Sequence, residues 1–310
     1  MKILLLGASG FVGQNVRNNF ALKKFEVISV SKRDGVDLTD YNQTYGMIKK
    51  VQPEVIVNCA AKVGSLNMVT QIAAEIIDQN LRMLLNIYKA LNAVNNEIIL
   101  INPIANCAYP GYLNFYEEDK FWEGKVHDSV YSYGNSRRMV EVLSTCYKMQ
   151  YGLKTINYLV PNMYGPFDST DPNKAHALNA LVGKFVKANN EHSASVEVWG
   201  SGIAIREWLY AGDFARVIEE TIYRLNDYGF DEPINIGQNF GLSVKELVNL
   251  IATEVEYKGE IIWNINMPDG APKKVMDDRK FKKAFADFKF MDFKKGISQT
   301  IAYYKSIYPY

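Results

Sequence analysis

Apolar residues in this chain follow two alternating rhythms. Short runs at Ile3–Leu6, Glu26–Val30, Val55–Ala61, Glu97–Ile101 and Thr155–Leu159 are largely continuous in apolar character, as in parallel strands buried on both faces. Between them lie stretches with helical spacing: Phe11–Phe20, Ala73–Val94 with Leu81, Leu84, Leu85, Tyr88 and Leu91 on one face, and a helix through Tyr133 on which Met139, Val142, Leu143 and Cys146 recur. This alternation predicts an α/β fold with a doubly wound parallel sheet, whose ligands bind at the carboxyl ends of the strands. Asn102–Pro110 is therefore expected in the crevice.

Beyond Pro166 the pattern loosens. It predicts a turn at Trp199–Gly202, a strand-like run at Arg206–Tyr210 and a helix at Ala211–Leu225 that packs back on the first lobe. Ser243 is expected to cap a helix reaching Val255, with Glu246 completing a capping box. The Lys- and Phe-rich run Phe281–Lys295 reads as a helix and turn with a solvated face. The expected division is a Rossmann-type lobe over residues 1–165 and a smaller mixed α/β lobe over 166–310.

Composition narrows the classes of partner. Lys plus Arg number 35 against 34 Asp plus Glu, so net charge offers no reason to expect nucleic acid or an anionic membrane. Cys59, Cys107 and Cys146 are too scattered for a disulfide framework or a zinc site, which suits a reducing cytoplasm. The apolar start at Met1 meets a glycine loop instead of a cleavage site, and no run approaches the roughly 18 residues of a membrane span.

That loop is Gly7-Ala-Ser9-Gly10-Phe11-Val12-Gly13, set between a strand and a helix. Glycines let a backbone turn tightly and approach a pyrophosphate, whose charge meets the free amides of the helix start. The second strand ends in Ser31-Lys32-Arg33 where an acid would bind a ribose hydroxyl. Two cations there suit the 2′-phosphate of NADP(H), or form a solvated charged turn. Asp37 and Leu38 would lie near the adenine, and the small Ala60 and Ala61, with Lys62 after them, would admit the cofactor at the third strand.

Tyr133 and Arg137 stand one helical turn apart. A phenol beside a fixed cation ionises more easily, which suits a group that delivers a proton to a carbonyl oxygen as hydride reaches its carbon. Read alone, the pair fits either that role or a surface Tyr and Arg on an amphipathic helix.

The chain resembles the extended short-chain dehydrogenase/reductases, and within them the GDP-L-fucose synthase branch. The resemblance rests on the glycine loop, Ala60–Gly64, Cys107-Ala-Tyr-Pro110, Tyr133, Pro161–Pro166, His176, Trp199–Gly202, Arg206-Glu207 and Pro268–Lys273. It implies an NADPH-dependent 3,5-epimerase/4-reductase of GDP-linked 4-keto sugars, hexose or heptose, acting as a homodimer. By the same resemblance Tyr133 is the proton donor, with Arg137 beside it. Cys107 and His176 are the base and acid of epimerisation, and Asn106, Asn162, His176, Lys184, Trp199 and Arg206 contact substrate. A thiol and an imidazole can exchange protons near neutral pH; without the resemblance, Cys107 reads as a small filler and His176 as a helix-start residue.

Two positions depart from the family pattern, Ala105 where it has Ser or Thr and Arg137 where it has Lys. Losing one oxyanion donor costs about 2.7 to 4 kcal/mol of transition-state stabilisation unless another group replaces it. Asn106 and Asn102 are the candidates. A milder departure, Ser9 in place of a basic residue, shifts 2′-phosphate recognition onto Lys32 and Arg33. The rival readings are an enzyme that only epimerises and a non-catalytic binder of NADP(H) or nucleotide sugar.

Overall fold

Side chains of the first strand, β1 (Lys2–Leu6), alternate between two cores: Ile3 and Leu5 enter one, Leu4 and Leu6 the other. A strand packed on both faces must be apolar throughout, which explains the unbroken run. The computed structural model describes all residues except 22–24, 228–231 and 268, so Pro268 lies outside the described residues.

The first lobe continues with α1 (Phe11–Phe20), β2 (Glu26–Val30), α2 (Tyr41–Val51), β3 (Val55–Asn58), α3 (Leu66–Gln71), α4 (Ala73–Val94), β4 (Ile99–Ala105), β5 (Phe115–Tyr116), α5 (Tyr131–Tyr151), β6 (Thr155–Val160) and β7 (Asn162–Tyr164). There follow α6 (Ala177–Asn190), β8 (Ser195–Trp199), β9 (Ile205–Arg206), β10 (Trp208–Tyr210), α7 (Ala211–Tyr223), β11 (Ile234–Asn235), β12 (Leu242–Ser243), α8 (Val244–Val255), β13 (Glu260–Asn264), β14 (Lys273–Met276), α9 (Arg279–Ala284) and α10 (Phe293–Ser306). The main sheet is parallel, in the order β11-β6-β4-β3-β1-β2. Its direction of growth reverses at β1, and a crevice opens there at the carboxyl ends.

Several expectations shift. β4 runs through Ala105 instead of ending at Ile101, past Pro103. Its pairing with β3 ends at Ile101, so beyond that point β4 is laddered only to β6 and tolerates the proline. Asn102 therefore lies inside the sheet and not in the crevice. Fully buried, it accepts from Asn58 Nδ2 at 3.1 Å and donates to Asn157 Oδ1 at 3.1 Å and Tyr88 Oη at 3.3 Å, so it is committed and cannot replace the missing hydroxyl. On α4, Leu84, Tyr88 and Leu91 are buried but Leu85 is exposed. On α5 the buried face carries Ser136, Arg137, Val140, Leu143 and Ser144, which leaves Cys146 outside.

Residues 166–310 interleave with the first lobe. α7 lays Phe214, Val217, Ile218 and Ile222 in the core that holds Val16 and Phe20 of α1, and β11 adds an edge to the main sheet. Phe281 and Phe285 are buried in that core with Phe288 and Phe290 against it, while Lys282 and Lys283 face solvent, so the Lys- and Phe-rich run is more than a solvated face. A separate core gathers α6, α8 and α10 around Phe185, Ile251 and Ile301. The capping box of Ser243 and Glu246 forms as expected.

Candidate active site

The glycine loop lies directly on the end of β3. Gly7 takes φ +74°, and a β carbon there would stand 2.7 Å from the Ala60 amide nitrogen, so only glycine allows the approach. α1 then starts at Phe11 with no side-chain cap on Gly10, which leaves the amides of Phe11, Val12 and Gly13 without intrahelical acceptors. Such amides fit a phosphate. Ser9 turns its carbonyl to Gln14 Nε2 at 3.2 Å.

At the end of β2 the expected pair of cations is divided. Lys32 Nζ meets Asp37 Oδ2 at 2.7 Å, and this bond, with those from Thr39, draws the Asp37 carboxyl down to about 2. Arg33 stands exposed, and the buried Leu38 gives its carbonyl to Asn86 Nδ2 at 2.9 Å. Periodicity could not reveal the acidic partner of Lys32.

Beyond β3, Ala60 and Ala61 are half-buried, and Lys62 Nζ pairs with Glu75. The Lys62 amide donates to Asn80 Oδ1 at 2.9 Å, and Asn80 Nδ2 returns a bond of 2.9 Å to the Lys62 carbonyl. Fully buried on α4, Asn80 also accepts Arg137 Nη2 at 3.1 Å. It thus joins the loop after β3 to the tyrosine helix.

Arg137 sits over the Tyr133 ring, 5.4 Å from Cζ to the centroid. Its pull on the phenol is real but insufficient: burial raises Tyr133 to about 12, with Arg137 opposing. The expectation of an easily ionised phenol is therefore corrected, since desolvation outweighs the cation. Arg137 is 4% exposed, and its Nε has no partner among the described residues.

Cys107 occupies a single-turn 3-10 helix, Asn106–Ala108, pressed against α5. A β carbon on Gly134 would come within 2.6 Å of the Cys107 carbonyl oxygen, and Arg138 Nε donates to the Ala108 carbonyl at 2.6 Å. Burial pushes the thiol up to about 11, against the pull of Lys274 and Arg137. The thiol is thus protonated at neutral pH. Asn106 is buried, and its Nδ2 lacks a partner among the described residues.

His176 precedes α6 and packs its ring 5.2 Å from that of Phe11. Its Nδ1 lies 3.1 Å from Asp168 Oδ2, and its amide donates to the same oxygen at 2.8 Å. Burial works against the Asp168 carboxylate, yet the bonds from His176 and Asn179 hold its pKa below the usual range.

Of the remaining expected residues, Asn162 belongs to the first lobe and Lys184, Trp199 and Arg206 to the second. Asn162 opens β7, and Trp199 is 59% exposed at the end of β8. Lys184 Nζ donates to the Glu197 carbonyl at 2.7 Å, and Arg206 Nη2 to the Asp269 carbonyl at 3.0 Å. Cys107, Tyr133 and Arg137 share one charge environment, whereas no hydrogen bond or ring contact among the described residues joins His176 to Cys107. Sequence reasoning missed Asn80, Arg138, Asp168 and Lys274. Asn80, Arg138 and Lys274 act on partners distant in the chain and Asp168 on His176, eight residues later, and only a buried-polar reading of Asn80 within its apolar helix face could have hinted at one of them.

A family model described as the NAD dependent epimerase/dehydratase family matches residues 3–237. The chain is 29% identical over 311 residues to the GDP-L-colitose synthase of Yersinia pseudotuberculosis, covering 98% of each. It shares its fold with a GDP-6-OMe-4-keto-L-xylo-heptose reductase from C. jejuni, with TM-score 0.89, 24% identity and coverage of 98% and 97%. A GDP-L-fucose synthetase from Naegleria fowleri bound to NADP is similar in the same way, with TM-score 0.88, 23% identity and coverage of 99% and 94%.

Proposed function

The chain belongs to the NAD dependent epimerase/dehydratase family, and on that footing we propose that it is an NADP(H)-dependent enzyme that reduces the 4-keto group of a GDP-linked deoxyhexose or heptose and epimerises its C3 and C5. The observation that carries this reading is the charge environment shared by Cys107 and Tyr133, in which Arg137 lowers the pKa of both. One site then holds a proton-abstracting group and a proton donor. The GDP-sugar names of the relatives support the substrate class.

The residues fit the cofactor. The uncapped amides of Phe11, Val12 and Gly13 would take the pyrophosphate, Lys32 and Arg33 the 2′-phosphate, and the unpartnered Nε of Arg137 a ribose hydroxyl. NADPH, when bound, supplies the hydride. Tyr133 gives its proton to the sugar oxygen; its raised pKa suits it to hold that proton until charge develops there. The 4-keto group acidifies the hydrogens on C3 and C5, so Cys107 removes one and His176 returns another on the opposite face. The buried Nδ2 of Asn106 stands in for the hydroxyl lost at Ala105. Asn162, Lys184, Trp199 and Arg206 hold the nucleotide sugar.

In this reading residues 1–165 carry the cofactor and 166–310 the sugar, the protein works in the cytoplasm, and two copies pair through α4 and α5, where Leu85 and Met149 are exposed. Ala105 favours a second reading, an enzyme that epimerises without reducing. Incubation with NADPH and GDP-4-keto-6-deoxymannose in deuterium oxide separates the two. Loss of NADPH absorbance with deuterium at C3 and C5 supports the first, deuterium alone the second, and neither signal overturns both.

A further inference from the structure

Asp168 is 7% exposed and ends an unusual piece of backbone: Gly165 takes φ +142° and Phe167, a residue with a bulky side chain, takes φ +74°. Non-glycine residues in that region persist only where the surroundings enforce them, and here the Phe167 ring packs on Tyr303 with centroids 5.0 Å apart. The turn presents a carboxylate to a prepared set of donors. Oδ2 receives the His176 amide at 2.8 Å and Asn179 Nδ2 at 2.8 Å, while both oxygens lie 3.1 to 3.2 Å from His176 Nδ1. Asn179 is itself fixed, since its Oδ1 accepts the Gly165 amide at 3.2 Å. An ionised carboxylate can only accept, so the nitrogen facing it must carry the proton.

We infer that Asp168 is the positioning residue of His176: its carboxylate takes the Nδ1 proton, holds the ring against Phe11 and reserves Nε2 for proton exchange with the bound sugar. Only the last clause rests on the acid role proposed above for His176. In the step so served, Cys107, once its thiol has given its proton to solvent, takes the proton from C3 or C5, and the electron pair moves into the 4-keto group as an enolate. Nε2–H then returns a proton to that carbon from the opposite face, leaving a neutral ring whose remaining proton is the one on Nδ1. Solvent reprotonates Nε2 and takes the proton from the thiol. Phe11, at the start of α1, forms the other wall of the imidazole, so the ring is held between the cofactor loop and the substrate lobe.

The test is nitrogen NMR of the full chain labelled with 15N-histidine. The protein has 3 histidines, and His176→Asn assigns the signal that disappears. With the rings neutral, the inference predicts that His176 shows a pyrrole-type Nδ1 and a pyridine-type Nε2, and that Asp168→Ala converts it to the Nε2–H form that free side chains favour. Asp168→Asn, which keeps the volume, covers the case in which Asp168→Ala fails to fold. It should lower the rate of deuterium exchange into the sugar at least tenfold with KM little changed. A wild-type Nε2–H ring, or a tautomer indifferent to Asp168→Ala together with full exchange in Asp168→Asn, overturns the inference. A tautomer that depends on Asp168, with exchange surviving His176→Asn, upholds the positioning and overturns the acid role.

Discussion

Arg137 Nη2 donates to Asn80 Oδ1 at 3.1 Å, and that oxygen also receives the Lys62 amide, so one side chain holds both the tyrosine helix and the loop that follows β3. Asn80→Ala strands a buried guanidinium and unties the Lys62 backbone. The expected loss is about 3 kcal/mol of stability by urea unfolding, with weaker NADP+ binding. Arg137→Lys should also weaken binding, because an ammonium cannot span the same partners.

Cofactor preference follows from Lys32 and Arg33. Titration should give tighter binding of NADPH than NADH, and Lys32→Ala with Arg33→Ala should remove the difference. Because Lys32 and Arg33 are exposed, the preference should shrink as salt is raised. Equal affinities in the wild type would refute the assignment.

Alkylation of Cys107 should be slow at neutral pH and rise about tenfold per pH unit toward its raised pKa of about 11, where the thiolate becomes the main form. Lys274→Met removes a cation that stabilises the thiolate, so it should raise the pKa further and slow alkylation at any given pH. Mass spectrometry resolved by site is required, since the exposed Cys146 reacts independently.

Single-turnover oxidation of NADPH addresses Ala105 and Arg137. If Asn106 and Arg137 have rebuilt the site, Tyr133→Phe should cost about a hundredfold or more, and Ala105→Ser with Arg137→Lys should bring no gain. A large gain from the restored pair would show that reduction had been given up.

Glu207 offers a test of stability against pH. It is 1% exposed, and burial raises it to about 7 although the amides of Gln238 and Met276 donate to it. A folded-state pKa above the unfolded one means that its stabilising contribution is complete below the unfolded value, near pH 4.5, and is lost as pH rises to about 7. The change is on the order of 3 kcal/mol, visible as a falling urea midpoint between pH 5 and 7.5. Glu207→Gln should flatten that slope.

Elements whose cause is local were readable from the residues alone. α1, β2 and α4 begin and end where the apolar rhythm does, and α8 starts at its capping box. β4 was misjudged because the tolerance for Pro103 depends on where its neighbour β3 stops. The site divides in the same way: glycine loop, Tyr133 and Arg137 stand out by spacing, whereas Asp37 on Lys32 and Arg138 on the turn of Cys107 are consequences of folding. The depth of burial that raises Cys107 and Tyr133 is likewise a property of the packed protein.

The short strand β11 has a consequence for synthesis. Its Asn235 accepts from Tyr109 Oη at 2.7 Å and donates to the Tyr116 carbonyl at 2.9 Å, bracing the segment that follows Cys107. A nascent chain leaving the ribosome has all of β1 to β6 long before Ile234 emerges, so until then the outer edge of β6 is open and the turn of Cys107 lacks its brace. An open edge is a template for pairing with other chains. The first lobe thus matures only after about half of the second has been translated, and a release at residue 233 or earlier would leave a sticky sheet and an unbraced cysteine turn.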